Sequence, residues 1–500
     1  MLSVLIWLPI ITAALIALLP GNIPANRIRL GALTLAGIVL LWNLFILFKF
    51  DINNPGMQLK EYLPWNETLG LSYQLGVDGI SILMLILNSL LTWIAIYSSS
   101  QQTERPRLFY SLILLVSGGV AGAFLAENLL LFFLFYELEL IPFYLLISIW
   151  GGQRRAYAGI KFLIYTAVSG ALILATFLGI VWLTGSPNFN YDSLSTQALS
   201  TVLQITLLLG ILIGFGIKIP LIPLHTWLPD AYVEASAPIA ILLGGVLAKL
   251  GTYGILRFGM MLFPQAWSIL APSLATWGAV SAIYGAVVAI AQKDIKRMVA
   301  YSSIGHMGYI LLAAAASTSL ALVGAVAQMV SHGIILAILF HLVGVVEAKV
   351  GTRELDKLNG LMSPIRGLPF ISALLVLGGM ASAGIPGMTG FIAEFIVFQG
   401  TFSVFPIPTL MCVVASGLTA VYFVILLNRT CFGKLDNNLA YYPKVQWYEK
   451  MPALILAALI LFLGVQPTWL VRWIEPTTTA VVATIPALEK TVTPQLALKE

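Results

Sequence analysis

The sequence predicts an all-α polytopic membrane protein, and three observations carry that prediction. Of its 500 residues, 59% are hydrophobic and only 9% are charged, whereas about 25% are charged in an ordinary soluble protein. Mean hydropathy is +0.95. The apolar runs have helical length and lack the period-two alternation of a membrane β-barrel. This composition excludes a soluble enzyme, a disordered protein and a nucleic-acid-binding protein, and it makes lipid a contact of most surfaces.

The apolar runs between polar segments number about fourteen, at about 20 residues for each membrane-spanning helix. The first run lacks a basic leader and a convincing cleavage site, so we expect a retained helix rather than a signal peptide. The predicted spans are 2–20, 29–48, 79–99, 108–126, 128–150, 159–183, 201–223, 237–261, 270–291, 298–316, 321–346, 367–396, 405–429 and 452–471.

The distribution of basic residues predicts the topology. Of the 26 Lys and Arg residues, seventeen are assigned to loops after odd-numbered spans, six to loops after even-numbered spans or the tail, and three to spans. The positive-inside rule then places the odd loops in the cytoplasm and both termini on the opposite side. The three lysines within spans are Lys161, Lys218 and Lys249.

Two spans contain helix-breaking residues at corresponding positions. In the seventh span Pro220 and Pro223 follow Lys218, and each proline removes a backbone donor and clashes with the preceding turn. Paired broken helices indicate inverted repeats with a transport path at their interface. We therefore expect two inverted five-helix repeats, formed by spans four to eight and nine to thirteen. The second interruption, in the twelfth span, consists of Gly384, Pro386, Gly387 and Gly390.

The same pattern divides the chain into four parts. Helices one to three occupy 1–107, and the fourteenth helix and the tail occupy 430–500. Between them, 108–261 is the first antiporter-like repeat and 270–429 is the second.

Ionisable residues recur inside the spans, although a charge at the bilayer centre costs about 2.5–3.5 kcal/mol on insertion scales. A carboxylate that approaches or leaves a buried lysine switches that lysine between holding and releasing a proton, and we expect Glu137 to do this to Lys218. Histidine relays protons through either ring nitrogen. The candidate proton-translocating residues are Glu137, Lys218, Lys249, His306, His332 and Glu394.

Four further residues have both a functional and a structural interpretation. Glu139 is two residues from Glu137 and points to another face of an ideal helix, so it is either a structural partner or part of the path. Lys161 either snorkels from a span end or takes part in transport. His225 either takes up protons beside the first break or bonds the freed carbonyls, and His341 is either a relay or a packed polar residue.

The sequence offers no redox centre. Its two cysteines, Cys412 and Cys431, form no CxxC motif, and a disulfide framework, a zinc site and an iron–sulfur cluster are all unsupported. It also has no glycine-rich nucleotide-binding motif. We therefore expect this chain to bind no cofactor and no metal itself.

Several strings resemble the antiporter-like membrane subunits of respiratory complex I. The resemblance covers about residues 75–430, and it is greatest to the subunit 4 family, called NuoM in bacteria and NdhD in cyanobacteria and chloroplasts. The YELEL form and the string GVDGIS favour the photosynthetic branch of that family. The matching strings are YELELIPFYLLISIWGG, RRAYAGIKFLIYTAVSG, KIPLIPLHTWLPDAYVEASAP, QKDIKRMVAYSSIGHMGY, QMVSHG and PGMTGFIAEF.

The resemblance implies fourteen helices, inverted repeats and a pumping path without a redox group. It implies a translocase subunit of an NAD(P)H or ferredoxin:plastoquinone oxidoreductase in the thylakoid membrane, with the iron–sulfur clusters and plastoquinone in other subunits. The resemblance maps the family's fifth-helix glutamate onto Glu137 and its broken-helix lysine onto Lys218. It maps the eighth-helix lysine onto Lys249 and the tenth- and eleventh-helix histidines onto His306 and His332. The twelfth-helix acid corresponds to Glu394.

The expected partners are the other membrane and hydrophilic subunits, above all neighbouring antiporter-like subunits, with ferredoxin as electron donor to the complex. The short N-terminus MLSVLIWLPI favours a CO2-uptake form with a carbonic-anhydrase-like partner over a form for respiration and cyclic electron flow. Two alternatives stay open. One is a subunit of an Mrp-type Na⁺/H⁺ antiporter, which shares the fold and these residues. The other is a structural platform that docks a soluble catalytic module.

Overall fold

The structure is a computed structural model that describes residues 1–364, 366–435 and 442–486, most of them in helices. In this part of the chain the α-helices are α1 Ser3–Leu18, α2 Ala25–Lys49, α3 Ser81–Ser98, α4 Pro106–Leu125, α5 Leu129–Leu138, α6 Leu140–Trp150, α7 Arg155–Thr184, α8 Thr201–Lys218, α9 Trp227–Glu234, α10 Ala237–Leu242, α11 Ala248–Gly254, α12 Pro264–Ile290, α13 Ile295–Ala316, α14 Ser319–Val350, α15 Pro369–Ser382, α16 Thr389–Phe402, α17 Pro406–Cys431, α18 Trp447–Val465 and α19 Pro467–Ala483.

The helical membrane-protein fold is confirmed. Twelve segments among the described residues are long and apolar enough to cross a membrane, with α5–α6 and α10–α11 each forming part of one segment. The predicted count of fourteen is not confirmed, because α1 has only 16 residues and the twelfth predicted span is divided into α15 and α16, of 14 residues each. The predicted boundaries of the four parts stay a prediction.

The first predicted break is present between α8 and α9. The helix ends at Lys218, and the chain resumes helical geometry at Trp227. The indole nitrogen of Trp227 donates to the carbonyl of Ile217 at 2.8 Å, and Ser281 accepts from the backbone nitrogen of Ile222 at 3.3 Å. Side chains therefore satisfy backbone groups that the prolines free, as a break at membrane depth requires.

The second predicted break separates α15 from α16. Gly384 and Gly387 have φ angles of +70° and +87°, which lie in the left-handed region that glycine adopts without steric cost. The chain therefore turns out of the helix at Gly384 and returns at Thr389.

A β-hairpin between α2 and α3 departs from the all-α prediction. Strand β1, Gln58–Asn66, pairs antiparallel with β2, Leu71–Val77, and Gly70 makes the turn with a φ of +63°. The segment is too polar for a membrane helix, and its backbone groups find partners across the hairpin instead.

The helices that carry the candidate residues form the centre of the bundle. The segment Ala237–Met260 is completely buried, and α13 and α14 are nearly so. Two π-helical stretches, Leu243–Leu247 and Ile255–Met260, interrupt the first of these segments on either side of α11. Since π-helical turns are rare and occur often at functional sites, the centre of the bundle is where the site is expected.

Candidate proton-translocation site

The first half of the site is a buried ion pair at the first break. Lys218 is the last residue of α8, and its ammonium donates to the carboxylate of Glu139. Both side chains have no exposed surface. The ammonium also lies 4.2 Å from the centre of the Tyr136 ring, which stabilises a positive charge further.

The structure gives Glu139 the position that we expected Glu137 to take. Glu139 occupies the turn between α5 and α6 rather than a regular helical position. Glu139 nevertheless keeps right-handed helical dihedrals, and the two carboxylates point to different sides, as an ideal helix predicts. Sequence reasoning left Glu139 with two interpretations, and the structure makes it the carboxylate that contacts Lys218. A second acidic residue in an apolar run was the signal for it.

Glu137 is half-buried in α5, on a different side of the cluster. A Cβ on Gly170 of α7 would lie 2.0 Å from its Oε1 atom, so a larger residue at 170 would require this carboxylate to move. Leu134 and Ile141, on the same helical face, are exposed to the surroundings of the chain. Glu137 therefore lies at the edge of the bundle, within Coulombic range of Lys218.

The second half of the site begins at Lys249, which is completely buried in α11. Its Nζ lies 2.8 Å from Nδ1 of His332 on α14 and donates to the carbonyl of Gly244 at 2.6 Å. Gly244 belongs to the π-helical stretch before α11. This lysine therefore faces a titratable neutral group, whereas Lys218 faces a carboxylate.

His306 on α13 continues the path from His332. The two imidazole ring centres are 5.4 Å apart. Nδ1 of His306 lies 2.8 Å from the carbonyl of Ser302, and because a carbonyl only accepts, Nδ1 carries a hydrogen. Nε2 lies 3.4 Å from Oε1 of Glu394 and 3.3 Å from the carbonyl of Ser382, so the second ring nitrogen also faces acceptors.

Glu394 on α16 ends this series beside the second break. Its Oε2 accepts a hydrogen bond from Ser416 of α17 at 2.6 Å. A Cβ on Gly384 would lie 3.0 Å from the same oxygen. The chain therefore turns at this break, and the absence of a side chain at Gly384 also leaves space for the Glu394 carboxylate.

The structure thus brings four of the six predicted residues into one series and leaves Lys218 in a separate pair. No contact joins Lys218 to Lys249 among the described residues. Several buried polar atoms on or beside the helices that carry these residues lack a hydrogen-bond partner in the described chain, and such atoms are costly unless water reaches them. They include Oε1 of Glu137, Oε2 of Glu139, Oγ of Ser303, Oε1 of Gln328, Oγ of Ser331 and Nε2 of His332.

The remaining residues with two interpretations have partners outside this series. Lys161 pairs with Asp230 at 2.8 Å, Nε2 of His225 lies 3.1 Å from the hydroxyl of Tyr284, and Nε2 of His341 donates to the carbonyl of Glu449 at 2.7 Å. These contacts favour the structural interpretation of all three.

Comparison with known proteins decides the family. Residues 126–419 match the family described as NADH:quinone oxidoreductase/Mrp antiporter, transmembrane. This chain belongs to that family. It is 40% identical over 496 residues to NAD(P)H-quinone oxidoreductase chain 4 1 of Synechococcus sp. (strain JA-3-3Ab), covering 96% of this chain and 93% of the relative. It is 42% identical to chain 4 2 of Microcystis aeruginosa (strain NIES-843 / IAM M-2473), covering 86% and 79%.

Solved structures agree with this membership. A chain of respiratory complex I from Thermus thermophilus superposes with a TM-score of 0.88 at 29% identity, over 97% of this chain and all of that one. A chain of the Mrp complex from Dietzia sp. DQ12-45-1b gives a TM-score of 0.86 at 20% identity, over 97% and 99%, which shows the fold alone. The resemblance to the cyanobacterial subunit 4 family is therefore confirmed.

Proposed function

We propose that this chain is a proton-translocating membrane subunit of a cyanobacterial-type NAD(P)H-quinone oxidoreductase. The observation that carries the proposal is the series from Lys249 through His332 and His306 to Glu394, buried in the bundle of a chain whose relatives bear that name. Buried ionisable residues at membrane depth are costly and mark ion pathways.

The contacts suggest how a proton moves through the second half. The ammonium of Lys249 donates to Nδ1 of His332, and the opposite nitrogen, Nε2, then releases a proton. A bridging water or a ring rotation carries it to Nε2 of His306, from which Oε1 of Glu394 accepts it. Reversing any hop requires only the same groups, so direction must come from elsewhere.

The ion pair in the first half supplies that direction in this proposal. While Glu139 holds Lys218, its charge is neutralised; when the lysine moves toward Glu137, the local field changes. Breaking a buried pair costs about 3–5 kcal/mol. Moving one charge across 100 mV costs about 2.3 kcal/mol. The two energies are of the same order, so one switching pair matches one translocation step.

The proposed function also indicates which subunits and which membrane surround this chain. As part of a complex I type assembly, the chain packs against other subunits. Glu137 is half-buried on an otherwise exposed face, and a neighbouring antiporter-like subunit at this face would shield its carboxylate from lipid. The proposal extends to a thylakoid location, ferredoxin as electron donor, and plastoquinone and iron–sulfur clusters in other subunits. The names of the cyanobacterial relatives give NAD(P)H and quinone. The proposal also includes the CO2-uptake form of the complex, with a carbonic-anhydrase-like partner.

Replacing Lys218 with alanine tests the proposal. We expect Lys218→Ala to assemble and to abolish proton pumping, measured in membrane vesicles as acidification during quinone reduction. Lys357→Ala, at an exposed lysine paired with Glu354, is the matched control and should pump normally. Normal pumping by assembled Lys218→Ala would overturn the mechanism.

The Mrp alternative is less well supported, because the Mrp chain shares only the fold at 20% identity. Purification in mild detergent through a tag on this chain separates the two. Recovery with quinone-reductase subunits supports the proposal, and a carbonic-anhydrase-like protein among them supports the CO2-uptake form. Recovery with only small antiporter-type membrane chains would replace the proposal with Na⁺/H⁺ exchange.

A further inference from the structure

A groove lies between the end of α1, the start of α2 and the start of α4, away from the proton-translocation site. Its volume is about 590 Å³, and ligand sites commonly have volumes of about 300–1,000 Å³. The positive-inside rule places the loops that border it, after the first and third predicted spans, on the cytoplasmic side of the membrane. We call it the basic groove, and the residues that line it include Ala17, Ile23, Ile28, Arg105, Arg107 and Leu108.

The polar part of the basic groove is positively charged. Arg105 and Arg107 line it, and no acidic residue of the described chain does. Residues 19–30 and 99–108, which include both bordering loops, contain four arginines and a single acidic residue, Glu104. A negatively charged group that enters the groove therefore meets a net positive field from both loops.

The two arginines of the groove are held differently. Nη1 of Arg107 donates to the carbonyl of Leu19 at 2.5 Å, which fixes its guanidinium between α1 and α4. A guanidinium has five N–H donors, so Arg107 keeps donors for a ligand. Arg105 is exposed, and its side chain makes no hydrogen bond or ion pair with the other described residues. Arg105 is therefore available to a ligand, and Arg107 is already oriented for one.

The surface of the chain beside the basic groove is apolar. Ile11, Leu15 and Leu18 lie on one face of α1 and are 54%, 60% and 81% exposed. Leu18 follows Ala17, which lines the groove. Among the twelve candidate spans of the described residues, α2 is the least buried. This edge of the bundle is therefore open to acyl chains, directly beside two arginines at the cytoplasmic end of the helices.

We propose that the basic groove binds the phosphate headgroup of an anionic membrane lipid, with Arg105 and Arg107 as its donors. Arginine suits this ligand because its planar guanidinium can donate two parallel hydrogen bonds to one phosphate. Basic pockets between membrane helices on the cytoplasmic side are typical sites for anionic headgroups. The acyl chains then lie along the exposed face of α1. The inference does not depend on proton translocation, since no residue of that site takes part.

The test uses phosphatidylglycerol with a photoreactive group in one acyl chain. The complex that copurifies with this chain is placed in nanodiscs of phosphatidylcholine that contain increasing fractions of this probe, and labelled peptides are identified by mass spectrometry. We expect saturable labelling of the peptide that contains α1. Arg105→Gln should raise the probe fraction needed for half-maximal labelling roughly fivefold, the contribution of one basic residue near an anionic headgroup.

Arg154→Gln is the matched control. Arg154 is also an exposed arginine assigned to the cytoplasmic side, but it lies against the ring of Tyr157 and outside the basic groove. We expect it to leave labelling of the α1 peptide unchanged. The double variant Arg105→Gln, Arg107→Gln should raise the half-maximal fraction roughly 30-fold if the two contributions add.

Three outcomes would overturn the proposal. Equal half-maximal fractions for Arg105→Gln and the unmodified complex would mean that the label reports the general lipid shell and not a site. Displacement of the probe by inorganic phosphate would assign the groove to a soluble anion instead. Absence of labelling in the unmodified complex would show that another subunit covers the groove.

Discussion

The two halves of the site place different groups beside their buried lysines. In the first half Lys218 is neutralised by Glu139, and neither side chain has exposed surface. In the second half Lys249 faces neutral His332, and the nearest carboxylate in the series belongs to Glu394, beyond His306. An ion pair stores a charge in two positions, whereas a series of imidazoles can pass a proton from one ring to the next. The difference suggests that the first half switches and the second half conducts.

The two helix breaks differ from each other, as the two halves of the site do. Pro220 and Pro223 make the first, and side chains such as Trp227 bond the freed backbone, which fixes Lys218 at a helix end. Glycines with positive φ make the second, and Gly384 lies against the Glu394 carboxylate. The proline break fixes the backbone that carries the Lys218 charge, and the glycine break leaves space beside the Glu394 charge.

The largest expected effect comes from separating the two carboxylates of the first half. Glu139→Gln leaves the Lys218 ammonium buried without a charged partner, and we expect it to lower the free energy of unfolding by about 3–5 kcal/mol as well as to impair pumping. Glu137→Gln should impair pumping but leave heat stability unchanged, because no described residue hydrogen-bonds its Oε1. Thermal unfolding of the two purified complexes checks this. Equal stability would show that Glu139 is not the resting partner.

An intermediate effect is expected where the second break meets Glu394. Gly384→Ala places an L-residue at a φ of +70°, which costs about 1–2 kcal/mol, and its Cβ presses on the carboxylate from 3.0 Å. We expect slower pumping together with modest destabilisation. Gly387→Ala is the matched control, since it has a similar φ of +87° and no atom within 4 Å of its Cβ. If both variants slow pumping equally, backbone strain rather than contact with Glu394 is the cause.

The smallest effect is expected at the end of the conducting series. Ser416→Ala removes the hydrogen bond to Oε2 of Glu394, which contributes about 1 kcal/mol. We expect proton pumping to change only slightly, since His306 still faces the other carboxylate oxygen. The measurement compares the pumping rate of Ser416→Ala with that of Glu394→Gln. Loss of pumping as complete as in Glu394→Gln would mean that Ser416 itself carries the proton onward.

The sequence predicted the helices, both breaks and the residues of the conducting series because each depends on local chemistry. Proline and glycine interrupt a helix wherever they occur, and a charge within an apolar run is visible without any fold. The β-hairpin was missed because its strands mix polar and apolar residues without a clear period of two and lie between two strong helical signals. The predicted count of fourteen spans is not confirmed, since twelve segments of the described residues are long and apolar enough to cross a membrane.

What the sequence by itself determined is a helical membrane bundle with titratable residues at its centre. Only the tertiary structure decided which of them meet. The turn between α5 and α6 places Glu139 against Lys218. The packing of α11 and α14 brings Lys249 to His332, which is 83 positions away in the chain. Pairings of this kind depend on how helices distant in sequence pack, and a local pattern of residues carries no information about that packing.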